Sequence, residues 1–169
     1  MDKKLLLVIA SNQFRDEELF HTQEELNKAG ITTTIASSTM NTSTGMLGGT
    51  ATPDTLLKNV DMKDYDGIVF IGGAGSSEYW DNETAHKLAT TAYNDGKVTA
   101  AICIAPVTLA NAGLLKGKKF NCWESETEKI KGLGGVHYPE PVVADGNIVT
   151  ANGPDASRDF GRRIAELLR

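Results

Sequence analysis

The chain has 169 residues, with 17 basic and 22 acidic side chains and a net charge of -5. That length suits a single domain over residues 1–169 that buries about 70% of its unfolded surface; the dispersed, mildly acidic charge argues against nucleic acid or an anionic membrane as a partner. Two cysteines make no disulfide framework, and the first apolar run, Leu5 to Ala10, is too short for a signal peptide or a membrane span, so a cytoplasmic, reducing setting is expected.

Leu5 to Ala10 is apolar at every position, as a central parallel strand covered on both faces requires. Ser11-Asn12-Gln13 reads as a turn with an available helix cap, Arg15 to Ala29 as a helix stopped by Gly30, and Ile31 to Ala36 as a second strand parallel to the first. Ser37 to Thr52 changes to Ser, Thr, Gly and Asn, an excursion with hairpin character, and Pro53 to Val60 suggests a short helical turn. Gly67 to Ile71 is a third buried strand ending in Gly72-Gly73-Ala74-Gly75. Asn82 to Asp95 is a helix with Ala85, Leu88, Ala89 and Ala92 on one face. Further on, Gly117 to Cys122 suggests a short strand and Glu124 to Lys131 a short helix. Val142-Val143 and Ile148 to Thr150 flank the hairpin signal Asp145-Gly146, and Gly153-Pro154 opens a last amphipathic helix. Alternating strands and helices around all-apolar strands predict a three-layer α/β/α sandwich with a mostly parallel sheet.

Val98 to Ile102 reads as a buried strand that runs into Cys103, after which Pro106 begins a helical run closed by Gly113. A cysteine at such an elbow meets the positive end of a helix, which favours the thiolate; the same residues also fit an inert core cysteine at a strand end. In open α/β sheets ligands sit beyond the carboxyl ends of the strands. Three loops meet there: Ser11 to Phe14, Gly72 to Ser76, and Cys103 itself. In the functional reading, Gly73 lets backbone N–H groups approach an oxyanion and Ile104 N–H supplies a second donor; the bland one is a sharp turn. The first loop has no glycine for a dinucleotide fingerprint. No Cys/His cluster has ligand spacing, so neither a metal nor a cofactor is expected.

Four segments resemble the DJ-1/PfpI superfamily: Phe14 to Leu19, Gly72 to Glu78, Ala101 to Pro106, and Asp145 to Thr150. The resemblance spans nearly the whole chain and implies a flavodoxin-like fold with a nucleophile elbow at Cys103. It also implies that Glu18 is the carboxyl group facing that cysteine; by pattern alone Glu18 is one of several carboxylates on a solvated helix, beside Glu17, Glu24 and Glu25. A carboxylate about 4 Å from a thiolate would cost about 4 kcal/mol at an effective dielectric of 20, about three pKa units. The two groups are therefore expected to titrate together.

The resemblance implies an activated cysteine acting on small reactive carbonyls, as in the glyoxalase or deglycase branch, through a Cys103 thiolate with Glu18 as proton partner. The alternatives are a redox sensor or stress protein in which an oxidant meets Cys103, and a peptidase. Peptidase members carry a histidine directly after the cysteine, where this chain has Ile104, and His21, His86 and His137 read as ordinary residues, with His137 the best placed of the three to act as a base. Relatives also imply a homo-oligomer with a subunit contact near Glu78-Tyr79-Trp80. Cys122, if close to Cys103, could resolve a sulfenic acid.

Overall fold

A computed structural model describes residues 2–169. Eleven strands and five α-helices follow one another as β1 (Lys4–Val8), α1 (Asp16–Lys28), β2 (Thr32–Ser37), β3 (Ser43–Thr44), β4 (Thr50–Ala51), β5 (Thr55–Leu56), β6 (Gly67–Phe70), α2 (Glu83–Asn94), β7 (Val98–Ile102), α3 (Pro106–Asn111), β8 (Lys119–Phe120), α4 (Thr127–Gly132), β9 (Val136–His137), β10 (Val142–Asp145), β11 (Ile148–Ala151) and α5 (Ser157–Leu167). Seven strands form the main sheet in the order β10-β11-β7-β6-β1-β2-β5. Every neighbouring pair is parallel except β10 with β11, the hairpin turned by Asp145-Gly146.

The all-apolar runs sit where both faces are covered. Leu5 and Leu7 point into one core, with Phe14, Leu26, Ile102 and Phe160; Leu6 and Val8 point into the other, with Phe70, Leu109, Leu115 and Phe120. The two cores are the two sides of a three-layer sandwich, α1 and α5 on one face and α2, α3 and α4 on the other. The chain leaves β1 toward β2 on one side and later returns to β6 on the other, so the sheet order reverses at β1. A crevice opens at the carboxyl ends of strands at such a point.

Local chemistry corrects the expected elements in two places. No side chain from Ser11 to Gln13 caps α1; the cap position is Arg15, without a side-chain bond, and Asp16, Glu17 and Glu18 crowd the first turn, where negative charge suits the helix dipole. The short helical turn expected within Pro53 to Val60 is present as a 3-10 turn, Leu57–Asn59, but a two-residue edge strand that the sequence did not show, β5, precedes it. Asp54 decides this, because its N–H donates to Ile35 O (2.8 Å) and its Oδ2 accepts the Ile35 N–H (2.9 Å), drawing the segment against β2.

The glycine loop beyond β6 leads into a 3-10 segment, Ala74–Tyr79, that seals the top of the sheet. Tyr79 is buried, donates its hydroxyl to Ile9 O at 2.6 Å and accepts the Ser38 N–H at 3.0 Å. Tyr79→Phe is expected to cost about 2 kcal/mol in urea denaturation, because two backbone groups lose a buried partner.

Candidate active site

Strand β7 delivers Cys103 to the crevice. Its N–H donates to Ala151 O (3.0 Å), extending the ladder with β11, while its carbonyl accepts the Trp123 N–H (2.8 Å). Between these anchors the backbone turns sharply, and Cys103 adopts φ +66°, left-handed space that a non-glycine residue enters at a cost. The elbow thus holds its side chain out of the strand by strain fixed at both ends.

Glycines let two loops close on that side chain. Gly73 has φ +108°, and a β-carbon on it would lie 2.5 Å from Gln13 O and 2.6 Å from Phe14 C. This close approach is tied by Arg15 N–H to Gly72 O (2.9 Å) and Gly75 N–H to Gln13 O (3.1 Å). A methyl group on Gly72 would lie 2.6 Å from Cys103 Cβ and overlap Glu18 Oε1, so the thiol and the carboxyl group meet over this glycine.

Glu18 is fully buried, and neither of its oxygens meets hydrogen-bond geometry with any group. Burial pushes its pKa up to about 8; the nearby Cys103 thiol, the Gly72 N–H and the Arg15 charge pull the other way, too weakly to offset the desolvation. Burial also pushes the Cys103 thiol up to about 12, reinforced by the Glu18 charge and opposed by the neighbouring Gly73 and Ile104 N–H groups. The sequence suggested a thiol lowered by a helix end. Helix α3 has only six residues and begins at Pro106, three positions beyond the sulfur, so the favourable field at Cys103 comes from two individual N–H groups, and desolvation outweighs it.

Cys103 opens on a cleft of about 250 Å³ walled by Met46, Ile104, Trp123 and Pro154, with Arg15 at its edge. Arg15 is held by Glu17 through Nε–Oε1 (2.9 Å) and Nη2–Oε2 (3.1 Å). Trp123 and Pro154 also border a larger groove of about 740 Å³ that contains Cys122 and His137. The two thiols thus border different depressions, and the Cys122 thiol, pushed up to about 11 by burial, donates to Trp123 O (3.2 Å).

Residues 3–167 match the family model described as DJ-1/PfpI family. The chain belongs to this family. It is 30% identical to the protein named deglycase TK1284 of Thermococcus kodakarensis, covering 97% of this chain and 99% of that one, and 30% identical to protein dj-1beta of Drosophila melanogaster, covering 99% and 90%. Its structure superposes on the ThiJ/PfpI domain protein of Brachyspira murdochii with a TM-score of 0.96 at 32% identity, over 99% of this chain and 98% of that one. The sandwich is thus the flavodoxin-like fold of ThiJ/PfpI and DJ-1 proteins.

In this DJ-1/PfpI chain, Cys103, Glu18, Gly73 and Ile104 come together at one point, whereas the other two candidates lie elsewhere. Glu78 is exposed and is held by its own chain, accepting from Ser11 N (2.7 Å), Ser11 Oγ (2.9 Å) and Ser38 Oγ (2.6 Å). Cys122 packs in the core on the opposite face of the sheet from Cys103, and both thiols are free. His86 bonds to Trp80 O (2.8 Å), His137 bonds to Asn121 Oδ1 (3.1 Å), and His21 lies on α1; none of them lines the cleft at Cys103. Three further residues touch the site. Trp80 Nε1 donates to Ile104 O (3.1 Å), Met46 roofs the cleft, and Asp16 holds the loop that carries Met46. Trp80 follows the glycine loop directly, which is a usable signal; Met46 and Asp16 meet only through folding. No group of three or more His, Cys, Asp or Glu residues suited to a metal occurs among the described residues, and no described helix is long and apolar enough to cross a membrane.

Proposed function

We propose that this protein is a protective enzyme acting on small reactive carbonyls, of glyoxalase or deglycase type, with Cys103 as nucleophile and Glu18 as its proton partner. The observation that carries the reading is a buried, unpartnered carboxyl group with a pKa near 8 beside a thiol flanked by the Gly73 and Ile104 N–H groups. A carboxylate poised near neutrality is matched to take a thiol proton and give it back. The name deglycase on a relative at 30% identity agrees with this chemistry.

On a 2-oxoaldehyde, ionised Glu18 takes the thiol proton as the sulfur bonds to the aldehyde carbon. The carbonyl electron pair moves to oxygen, where the Gly73 and Ile104 N–H groups offset the charge until a proton arrives. Glu18 gives the thiol proton to that oxygen and, ionised again, removes the proton from the same carbon and returns it to the neighbouring one, while the hydroxyl proton passes to the former ketone oxygen. The aldehyde carbon reaches the thioester level as the ketone becomes an alcohol, so no external oxidant is needed. Water cleaves the thioester, releasing a 2-hydroxy acid and the thiol.

Peptide cleavage fits less well, because the leaving amine needs a proton donor and no histidine borders the cleft. An oxidant sensor fits less well too, since the chain's other cysteine, Cys122, packs on the opposite face of the sheet from Cys103 and is not placed to resolve a sulfenic acid there. Cys103→Ser is expected to lower methylglyoxal consumption by more than about 10³-fold; equal rates for the variant and the wild type would remove the proposal.

A further inference from the structure

We propose that Met46 sets the specificity of the Cys103 cleft, favouring electrophiles that carry an apolar substituent, and that Asp16 is the positioning residue that keeps Met46 in place. As a statement about substrates this rests on the carbonyl chemistry above; as a statement about the cleft it stands alone.

The loop between β3 and β4 is largely exposed, yet its backbone is pinned at three points. Asp16, only 8% exposed itself, accepts the Leu47 N–H through Oδ1 (2.9 Å) and the Gly49 N–H through Oδ2 (2.7 Å). Met46 N–H donates to Phe14 O (2.8 Å). The loop lies so close to the carboxylate that a β-carbon on Gly49 would be 2.7 Å from Oδ2. Met46 remains 44% exposed, but its Sδ accepts the Ala74 N–H (3.3 Å) in the glycine loop, which lays the side chain against the mouth of the cleft. Asp16 also stands one turn position from Arg15 and two residues from Glu18, so one stretch of helix supplies the proton partner and fixes the roof.

Around Cys103 the cleft is lined mainly by apolar groups, Met46, Ile104, Trp123 and Pro154 among them, with Arg15 and Ser125 as its polar side chains. Arg15, its charged neighbour, is already engaged by Glu17. An alkyl or aryl group would displace water from these walls, which a bare or charged electrophile cannot do. One apolar group in such a pocket discriminates by a factor of about 10 to 200.

The test compares alkylation of Cys103 by iodoacetanilide and by iodoacetamide, each rate divided by that for N-acetylcysteine. In both reactions the sulfur–carbon bond forms as the carbon–iodine bond breaks and iodide leaves, so the ratio of rates reads the cleft without requiring turnover. The wild type is expected to favour iodoacetanilide by about tenfold, Met46→Leu to keep that preference, and Met46→Ser to reduce it to about twofold or less. Asp16→Asn is expected to weaken the preference while leaving the pH dependence of Cys103 alkylation where it was, a combination that general loosening of the fold would not give. Absence of a preference in the wild type, or its survival in Met46→Ser, overturns the inference. In parallel, glyoxal, methylglyoxal and phenylglyoxal are offered as substrates. Consumption of none of them in a Cys103-dependent way sinks the enzyme reading, while the alkylation ratio still decides the role of Met46.

Discussion

Glu18→Gln is expected to melt at a higher temperature than the wild type at pH 8, with little difference at pH 5, while losing turnover. The native pKa of Glu18 is raised to about 8 from an ordinary 4.5. Between these values the native state holds a proton that the unfolded chain has released. Stability therefore falls as pH rises through this window, by about 1.4 kcal/mol per unit. The deficit is about 3 kcal/mol near pH 7 and levels off above pH 8. A glutamine of the same shape does not titrate, so the variant escapes this loss, and the deficit of about 4 kcal/mol reached at pH 8 corresponds to several degrees in a domain of this size. Melting curves at the two pH values check the sign; a gap of equal size at both would show that the carboxyl group is not held neutral. Activity should move the opposite way, with the loss of a positioned base lowering kcat by about 10² to 10⁴.

Gly72→Ala is expected to damage both stability and chemistry. Gly72 does not occupy left-handed space, so only room is at issue. The added methyl would lie 2.6 Å from Ile102 O and from Cys103 Cβ, and it would overlap Glu18 Oε1. A backbone carbonyl in the middle of a sheet and a side chain in a closed core have nowhere to retreat. Overpacking of this kind costs about 1–3 kcal/mol, and the geometry that yields must include the nucleophile or its proton partner. Urea denaturation together with the Cys103 alkylation rate measures both losses. Normal alkylation in a stably folded Gly72→Ala protein would show that the thiol and carboxyl group do not share this space.

The sheet was legible because its central strands are apolar at every position, and only a site covered on both faces asks for that. Helix α2 was legible from its cap as well, since Asn82 accepts the Ala85 N–H at 2.9 Å. The edge was harder to read. Thr55–Leu56 is too short to show a period, and Asp54 places it through bonds to Ile35, nineteen residues earlier. The same division runs through the site. Cys103, Gly73 and Ile104 announce themselves in motifs, because a strained elbow and a glycine approach need particular residues at particular steps. Glu18 stands among neighbours of the same charge, and its burial is a property of the α1–sheet packing that no local pattern shows. Asp16 and Met46 are thirty residues apart and meet only across a loop closure. The raised thiol pKa was equally hidden, because desolvation depends on every atom around the sulfur, whereas the expected helix field depended on a helix that proves to be six residues long.

The two bonds that brace the elbow come from late in the chain. Ala151 supplies the acceptor for the Cys103 N–H and Trp123 the donor to its carbonyl. A growing chain on the ribosome therefore exposes Cys103 well before either brace has been made. Until β11 docks beside β7, nothing holds the residue in left-handed space, the cleft has no Pro154 wall, and the sulfur remains an ordinary solvated thiol. Reactivity of the kind assigned to the finished site is thus a property of the completed polypeptide. Segments translated well after Cys103 therefore set the geometry of its thiol.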